Sequence, residues 1–315
     1  MELILKIFEH AMELADEWDY EELDRDESDS DESDSGDADN SSSLSMRDLP
    51  TLLILTAICH KIREIGISTP RLWGTVDPTI PSLANLFLER CNYDPHTLTI
   101  ISPRLKKTDL LQLEGLTFGN LRSVFFHGSS NDLGRIVPIF QRATNLSTLA
   151  VRVMEVAGFQ FPWHPSSPIP HLSSLRLRRL SINWTSPLLR NLSQLILDFS
   201  FYSPSGETLI GIEKFLTALA NCPDLEKLEL IHVGPNPRSN RNKCHTVVQL
   251  RRLQSLFLLI NNASAVGCIL SHISYPASAS VRVSTSVEEG ADIPGSISQF
   301  LPHGNADILR HWQMS

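Results

Sequence analysis

The side chains that could do chemistry in this chain are few and scattered. Cys59-His60 sets a thiol beside a base, the pairing that would make a thiolate nucleophile. Adjacent residues on a helix point about 100° apart, however, and Cys59 falls in an apolar stripe, so its type and spacing place it in a core. The chain contains no G-x-x-x-x-G-K-[ST] phosphate loop, no G-x-G-x-x-G after a strand, no G-x-S-x-G elbow and no H-E-x-x-H pair. None of the eleven histidines lies on a helix with another at ligand spacing, and the five cysteines form no C-x-x-C pair. Buried thiols in a reducing compartment are therefore expected rather than a zinc site or a disulfide framework. The expectation is a protein that is not an enzyme, with no catalytic residue, no metal and no cofactor.

What remains is binding chemistry, and the elements that would present it come from a repeat. Leu225-Glu226-Lys227-Leu228-Glu229-Leu230 has the spacing Leu-x-x-Leu-x-Leu. The same spacing holds Leu121, Val124 and Phe126; Leu146, Leu149 and Val151; Leu172, Leu175 and Leu177; Leu192, Leu195 and Leu197; and Leu253, Leu256 and Leu258. The intervals of roughly 20 to 33 residues are those of a solenoid built from strand-plus-helix units, the leucine-rich repeat pattern. Residues two apart on a strand share a face, so the last two apolar positions of each unit point into a core that only stacking can bury. A first strand without the full triplet is expected at Thr97 to Ile101 and a closing strand at Ser280 to Ser284. Return helices are expected at Leu133 to Ala143 and at Leu209 to Cys222, whose apolar residues recur at helical spacing. The Asn or Cys that regular repeats place three residues after the last Leu occurs once, as Asn261, so the other strand exits must turn by other means.

Residues alternating with the core leucines would line the concave sheet. There His127, Arg152, Arg176 and Arg178 would fall on neighbouring strands as a small basic patch beside apolar Phe125 and Ile196. Arginine holds carboxylate or phosphate in a two-pronged grip, so these six residues are the candidate target-binding surface for an acidic or phosphorylated protein segment. The alternative is a solvated, partly self-paired surface.

Charge is distributed unevenly. The net charge of −9 over 315 residues is concentrated in one place, because 14 of the 36 acids lie between Asp16 and Asp39, with Arg25 as the one base. The remainder is mildly basic, and no nucleic-acid partner is expected. Residues 16–45 hold dense like charge and are expected to be a disordered insert. Its serines could accept phosphate, the insert could be a solvated loop, or it could fold back onto the basic patch. Met1-Glu2-Leu3-Ile4 lacks the start of a secretory signal, and the apolar run from about Leu49 to Cys59 is too short to span a bilayer. A cytoplasmic or nuclear protein without a membrane partner is expected.

The N-terminal helices complete the organisation. Leu3, Ile4, Ile7, Phe8 and Ala11 recur at helical spacing. A second helix is expected from Leu52 to Ile67, and Ser68-Thr69-Pro70-Arg71-Leu72-Trp73 combines a cap-like Ser/Thr with Pro at a helix start. A helix from Leu83 to Cys91 would lead to the repeats. The segments Glu2 to Phe8, Leu52 to Cys59 and Ser68 to Trp73 together resemble the F-box-like domain of large fungal families, in which leucine-rich repeats follow the box. The chain departs from that pattern in three ways. Met1 stands where a Pro is usual, Ile62 stands three residues after Cys59 where that helix usually carries a Trp, and the acidic insert separates the first two helices.

The fold class implied is α/β. A short helical F-box-like domain at 1–77, interrupted by the insert, precedes a leucine-rich repeat solenoid at 78–288 with parallel strands on its concave side, and residues 289–315 form an irregular tail. The resemblance implies the substrate-recognition subunit of a Skp-cullin-F-box ubiquitin ligase. Leu3, Ile4, Ile7, Phe8, Leu53, Ile58, Pro70, Leu72 and Trp73 would bind a Skp-type adaptor, and through it a cullin, while the repeats hold a protein target. The alternative is an interaction module with a decayed box and no ligase role.

Overall fold

Two buried side chains, two positions apart, recur in strand after strand. The computed structural model describes residues 53, 57, 60–77, 81–101, 118–154, 160–162, 169–199, 211–235, 246–260 and 262–284. Leu3, Ile4, Ile7, Phe8, Ile58, the acidic stretch 16–45 and the tail 289–315 lie outside these residues.

The described chain forms two compact units. The first contains helix α1 (His60–Ser68), a short 3-10 helix (Pro70–Trp73), strand β1 (Thr75–Val76) and most of helix α2 (Pro81–Arg90). The second contains β2 (Thr97–Ile101), β3 (Ser123–Gly128), α3 (Ser130–Phe140), β4 (Thr148–Val153), β5 (Ser174–Arg178) and β6 (Gln194–Asp198). It continues with α4 (Ile212–Ala220), β7 (Lys227–Ile231), β8 (Val248–Gln249), β9 (Ser255–Leu259), α5 (Ala263–His272), β10 (Ile273–Ser274) and β11 (Ser280–Ser284).

Eight strands of the second unit lie in one sheet in the order β2, β3, β4, β5, β6, β7, β9, β11, and every one of their pairings is parallel. Their register aligns the apolar pairs into two rows. Leu98, Val124, Leu149, Leu175, Leu195, Leu228, Leu256 and Val281 form one; Ile100, Phe126, Val151, Leu177, Leu197, Leu230, Leu258 and Val283 form the other. From β2 to β9 none of these is more than 2% exposed. The first leucine of each unit (Leu121, Leu146, Leu172, Leu192, Leu225, Leu253) is buried as well. β8 and β10 form a separate parallel pair.

A hydrogen-bond pattern outside the ladder fixes this register. The carbonyl of Ser147 accepts the N–H groups of Ser173 (2.8 Å) and Ser174 (2.9 Å), and the carbonyl of Ser173 accepts those of Ser193 (2.7 Å) and Gln194 (2.9 Å). The carbonyls of His96, Arg122, Ser193 and Glu226 take two successive N–H donors from the following strand's start in the same way. The Ser147, Ser173 and Ser193 hydroxyls donate to the same carbonyls at 3.0, 3.2 and 3.0 Å.

The helices form where apolar stripes and caps coincide. In α3, Leu133, Ile136, Val137 and Phe140 are buried, while the Ser129 hydroxyl accepts the Asp132 N–H and donates to its carboxylate. α4 buries Ile212, Phe215, Leu216 and Leu219, the stripe its sequence predicts. Helix α5 is not among the elements expected from the sequence, although Asn262 caps it by accepting from the N–H groups of Ser264 (2.9 Å) and Ala265 (3.2 Å). The missing turn asparagines are replaced at two strand exits. Arg179 after β5 (φ 59°) and His232 after β7 (φ 53°) adopt the left-handed conformation, and their N–H groups donate to the carbonyls of Asp198 and Leu259.

The rows make a stability prediction. Leu228→Ala removes a side chain buried between Leu195 and Leu256 and should cost about 2–5 kcal/mol in urea unfolding. Leu259→Ala, on the other face, should cost less than about 1 kcal/mol.

Candidate interaction surface

The face of the sheet opposite the leucine rows carries the side chains available for recognition. Because the strands pair in register, this face also reads as rows. Its middle row runs Thr99, Phe125, Ala150, Arg176, Ile196, Glu229, Phe257, Arg282. The row at the C-terminal ends of the strands includes His127, Arg152, Arg178, Asp198, Ile231, Leu259 and Ser284. Adjacent strands are about 4.8 Å apart, so neighbours in a row are within side-chain reach.

The structure therefore brings His127, Arg152 and Arg178 onto three consecutive strands, with Arg176 two residues before Arg178. Phe125 lies beside them, and all five are half-buried. Two of the expected contact residues are more buried than their position on this face implies. Ile196 sits on this face but is only 3% exposed, because its in-register neighbours are Arg176 and Glu229, whose long stems can cover a shorter apolar side chain. It cannot offer contact area. The ring nitrogens of His127 are also buried, so this residue presents carbon rather than a donor or acceptor.

Further along, the surface changes character. Asp198 is in register with Arg178, and Glu229 forms an ion pair with Lys227 at 2.9 Å. Beyond them Ile231, Phe257 and Leu259 make a half-exposed apolar group, Ile231 being in register with Leu259. This group is not among the residues expected from the sequence to bind a target. The signal was present, since an apolar residue directly after the last Leu of a unit, as in Leu230-Ile231 and Leu258-Leu259, must point to the opposite face.

Of the residues expected to bind an adaptor, the first unit buries two. Leu72 and Trp73 are each only 3% exposed. Trp73 packs edge-on against Phe87 with ring centroids 5.0 Å apart, and its Nε1–H donates to the Gly66 carbonyl at 2.7 Å. Trp73 is thereby engaged inside the unit, because an indole offers both a large apolar area and a donor that needs a buried acceptor. Pro70 is exposed and Leu53 half-buried. The Ser68 and Thr69 hydroxyls do not cap the 3-10 helix; both donate to the Ile65 carbonyl, closing the end of α1.

The described cysteines Cys91, Cys222 and Cys268 are not in disulfides, and burial pushes the thiols of Cys91 and Cys222 above the ordinary value. Among the described residues no cluster of three His, Cys, Asp or Glu side chains could hold a metal, and no helix is long and apolar enough to cross a membrane. No protein-family model, curated protein or solved structure matches the chain.

Two measurements follow from these environments. Trp73→Phe should cost about 1–3 kcal/mol in urea unfolding, since it leaves the Gly66 carbonyl without its indole donor. The Cys222 thiol keeps its proton in the native state after the unfolded chain has lost it, so its contribution is complete below pH 9 and falls as pH rises beyond that. Stability curves between pH 8 and pH 11 should accordingly fall less steeply for Cys222→Ala than for the wild type.

Proposed function

We propose that this chain is a protein-interaction receptor of the leucine-rich repeat type, with the outer face of its parallel sheet serving as the concave partner-binding surface of a solenoid. The observation that carries the reading is the two-faced register. One side buries continuous leucine rows, while the other sets arginines, acids and apolar side chains in order on successive strands. Such a surface can recognise an extended partner without covalent chemistry. In its fuller form the reading is that of the substrate-recognition subunit of a Skp-cullin-F-box ubiquitin ligase. There the F-box-like helices would hold a Skp-type adaptor and the repeats a target, and the contribution to ubiquitin transfer would be proximity.

A second reading, an interaction module with no ligase role, is favoured by the burial of Leu72 and Trp73. Under that reading the helices act as structural elements of their own unit. Co-purification of the full chain with a Skp-type adaptor separates the two. The ligase reading expects a stable complex that is lost in a folded Phe8→Ala, Pro70→Ala double variant. Absence of a complex with the wild-type chain leaves the interaction module. For either reading, Arg176→Glu with Arg178→Glu should abolish capture of partners while leaving circular dichroism unchanged; unaltered capture would count against this face.

A further inference from the structure

We infer that the strip from β4 to β9 is built for one kind of segment: an extended stretch of a partner protein carrying an acidic side chain and, about four to six residues away, an apolar one. This rests on the receptor reading and specifies its partner. At one end Arg152 and Arg178 are in register on adjacent strands, with Arg176 on the same face. Their guanidinium groups suit a carboxylate, Arg178 through its terminal nitrogens because its Nε is buried. At the other end Ile231, Phe257 and Leu259 leave apolar surface half-exposed, the type of patch an apolar side chain covers.

The register sets the distance between the two ends. From Arg178 to Leu259 there are three strand steps and from Arg152 to Leu259 four. At about 4.8 Å per step this is roughly 14 to 19 Å, or about four to six residues of extended chain at about 3.3 Å each. Between the ends lie Asp198 and Glu229, the latter paired with Lys227. An acid in the middle of the segment would meet Asp198, so the spacer is uncharged or basic. The same arrangement discriminates against a uniform polyanion, whose charges would continue past the arginines onto these carboxylates.

The test is selection from a random peptide display library on the full-length chain, followed by fluorescence anisotropy with the enriched peptides. The inference expects Asp or Glu separated from Leu, Ile or Phe by the stated spacing, with binding weakened when the spacing is halved or doubled. Arg152→Glu with Arg178→Glu should weaken these peptides at least tenfold, and replacing the peptide's acid by Lys should restore binding to that variant. Leu259→Ser should weaken them at least tenfold without changing their salt dependence. Circular dichroism verifies that the variants fold. Peptides that depend on these residues but lack the spacing would overturn the inference and leave the receptor reading standing. Enriched peptides indifferent to every substitution on this face would overturn both. A library yielding no binder would overturn the inference alone, the receptor reading then resting on capture of whole proteins.

Discussion

The carbonyl one residue past the first leucine of each unit is the joint on which the sheet depends. From Arg122 to Glu226 it accepts two successive N–H groups from the start of the next strand, and at Gln254 it accepts one, from Ser280, so these bonds hold each strand's beginning in register with the strand before it. A slip of one residue would turn the leucine rows to the outer face and the arginines inward. Charged side chains buried without partners would make that slip very costly. The Ser147, Ser173 and Ser193 hydroxyls add a donor to the carbonyls of Arg122, Ser147 and Ser173, which links four successive units, each to the one before it.

Once the register is locked, the outer face is no longer a set of independent residues. Each side chain's exposure is decided by its neighbours on the adjacent strands. Ile196 illustrates this: its type and position suit a contact residue, but Arg176 and Glu229 flank it and it is buried. Arg178 has Arg152 on one side and Asp198 on the other, so its charge is moderated within the surface itself. The face is consequently a graded strip, basic over β4 and β5, acidic over β6 and β7, and apolar over β7 and β9.

The first unit shows how one side chain can serve either packing or docking, but not both. Trp73 combines its contact with Phe87 and its hydrogen bond to Gly66, and Arg90 lies over its ring at 6.0 Å. An aromatic held on three sides has little left to offer a partner. Recognition by this unit would therefore have to use exposed positions such as Pro70 rather than the most apolar ones.

The strands and their buried positions were legible in the sequence because a period of two within each unit, repeated along the chain, is a local signal. Leu228 and Leu230 or Leu256 and Leu258 could be assigned to the core without knowing their neighbours. The α4 stripe was readable for the same reason. The helix α5 was not, since its small and apolar residues give no polar face to contrast with, and its Asn262 cap matters only once the helix is there. The shared carbonyls, the burial of Ile196 and Trp73, and the exact register that places Ile231 and Leu259 beside each other were decided by tertiary structure. They depend on which residues meet across strands, and sequence spacing specifies a face but not a neighbour.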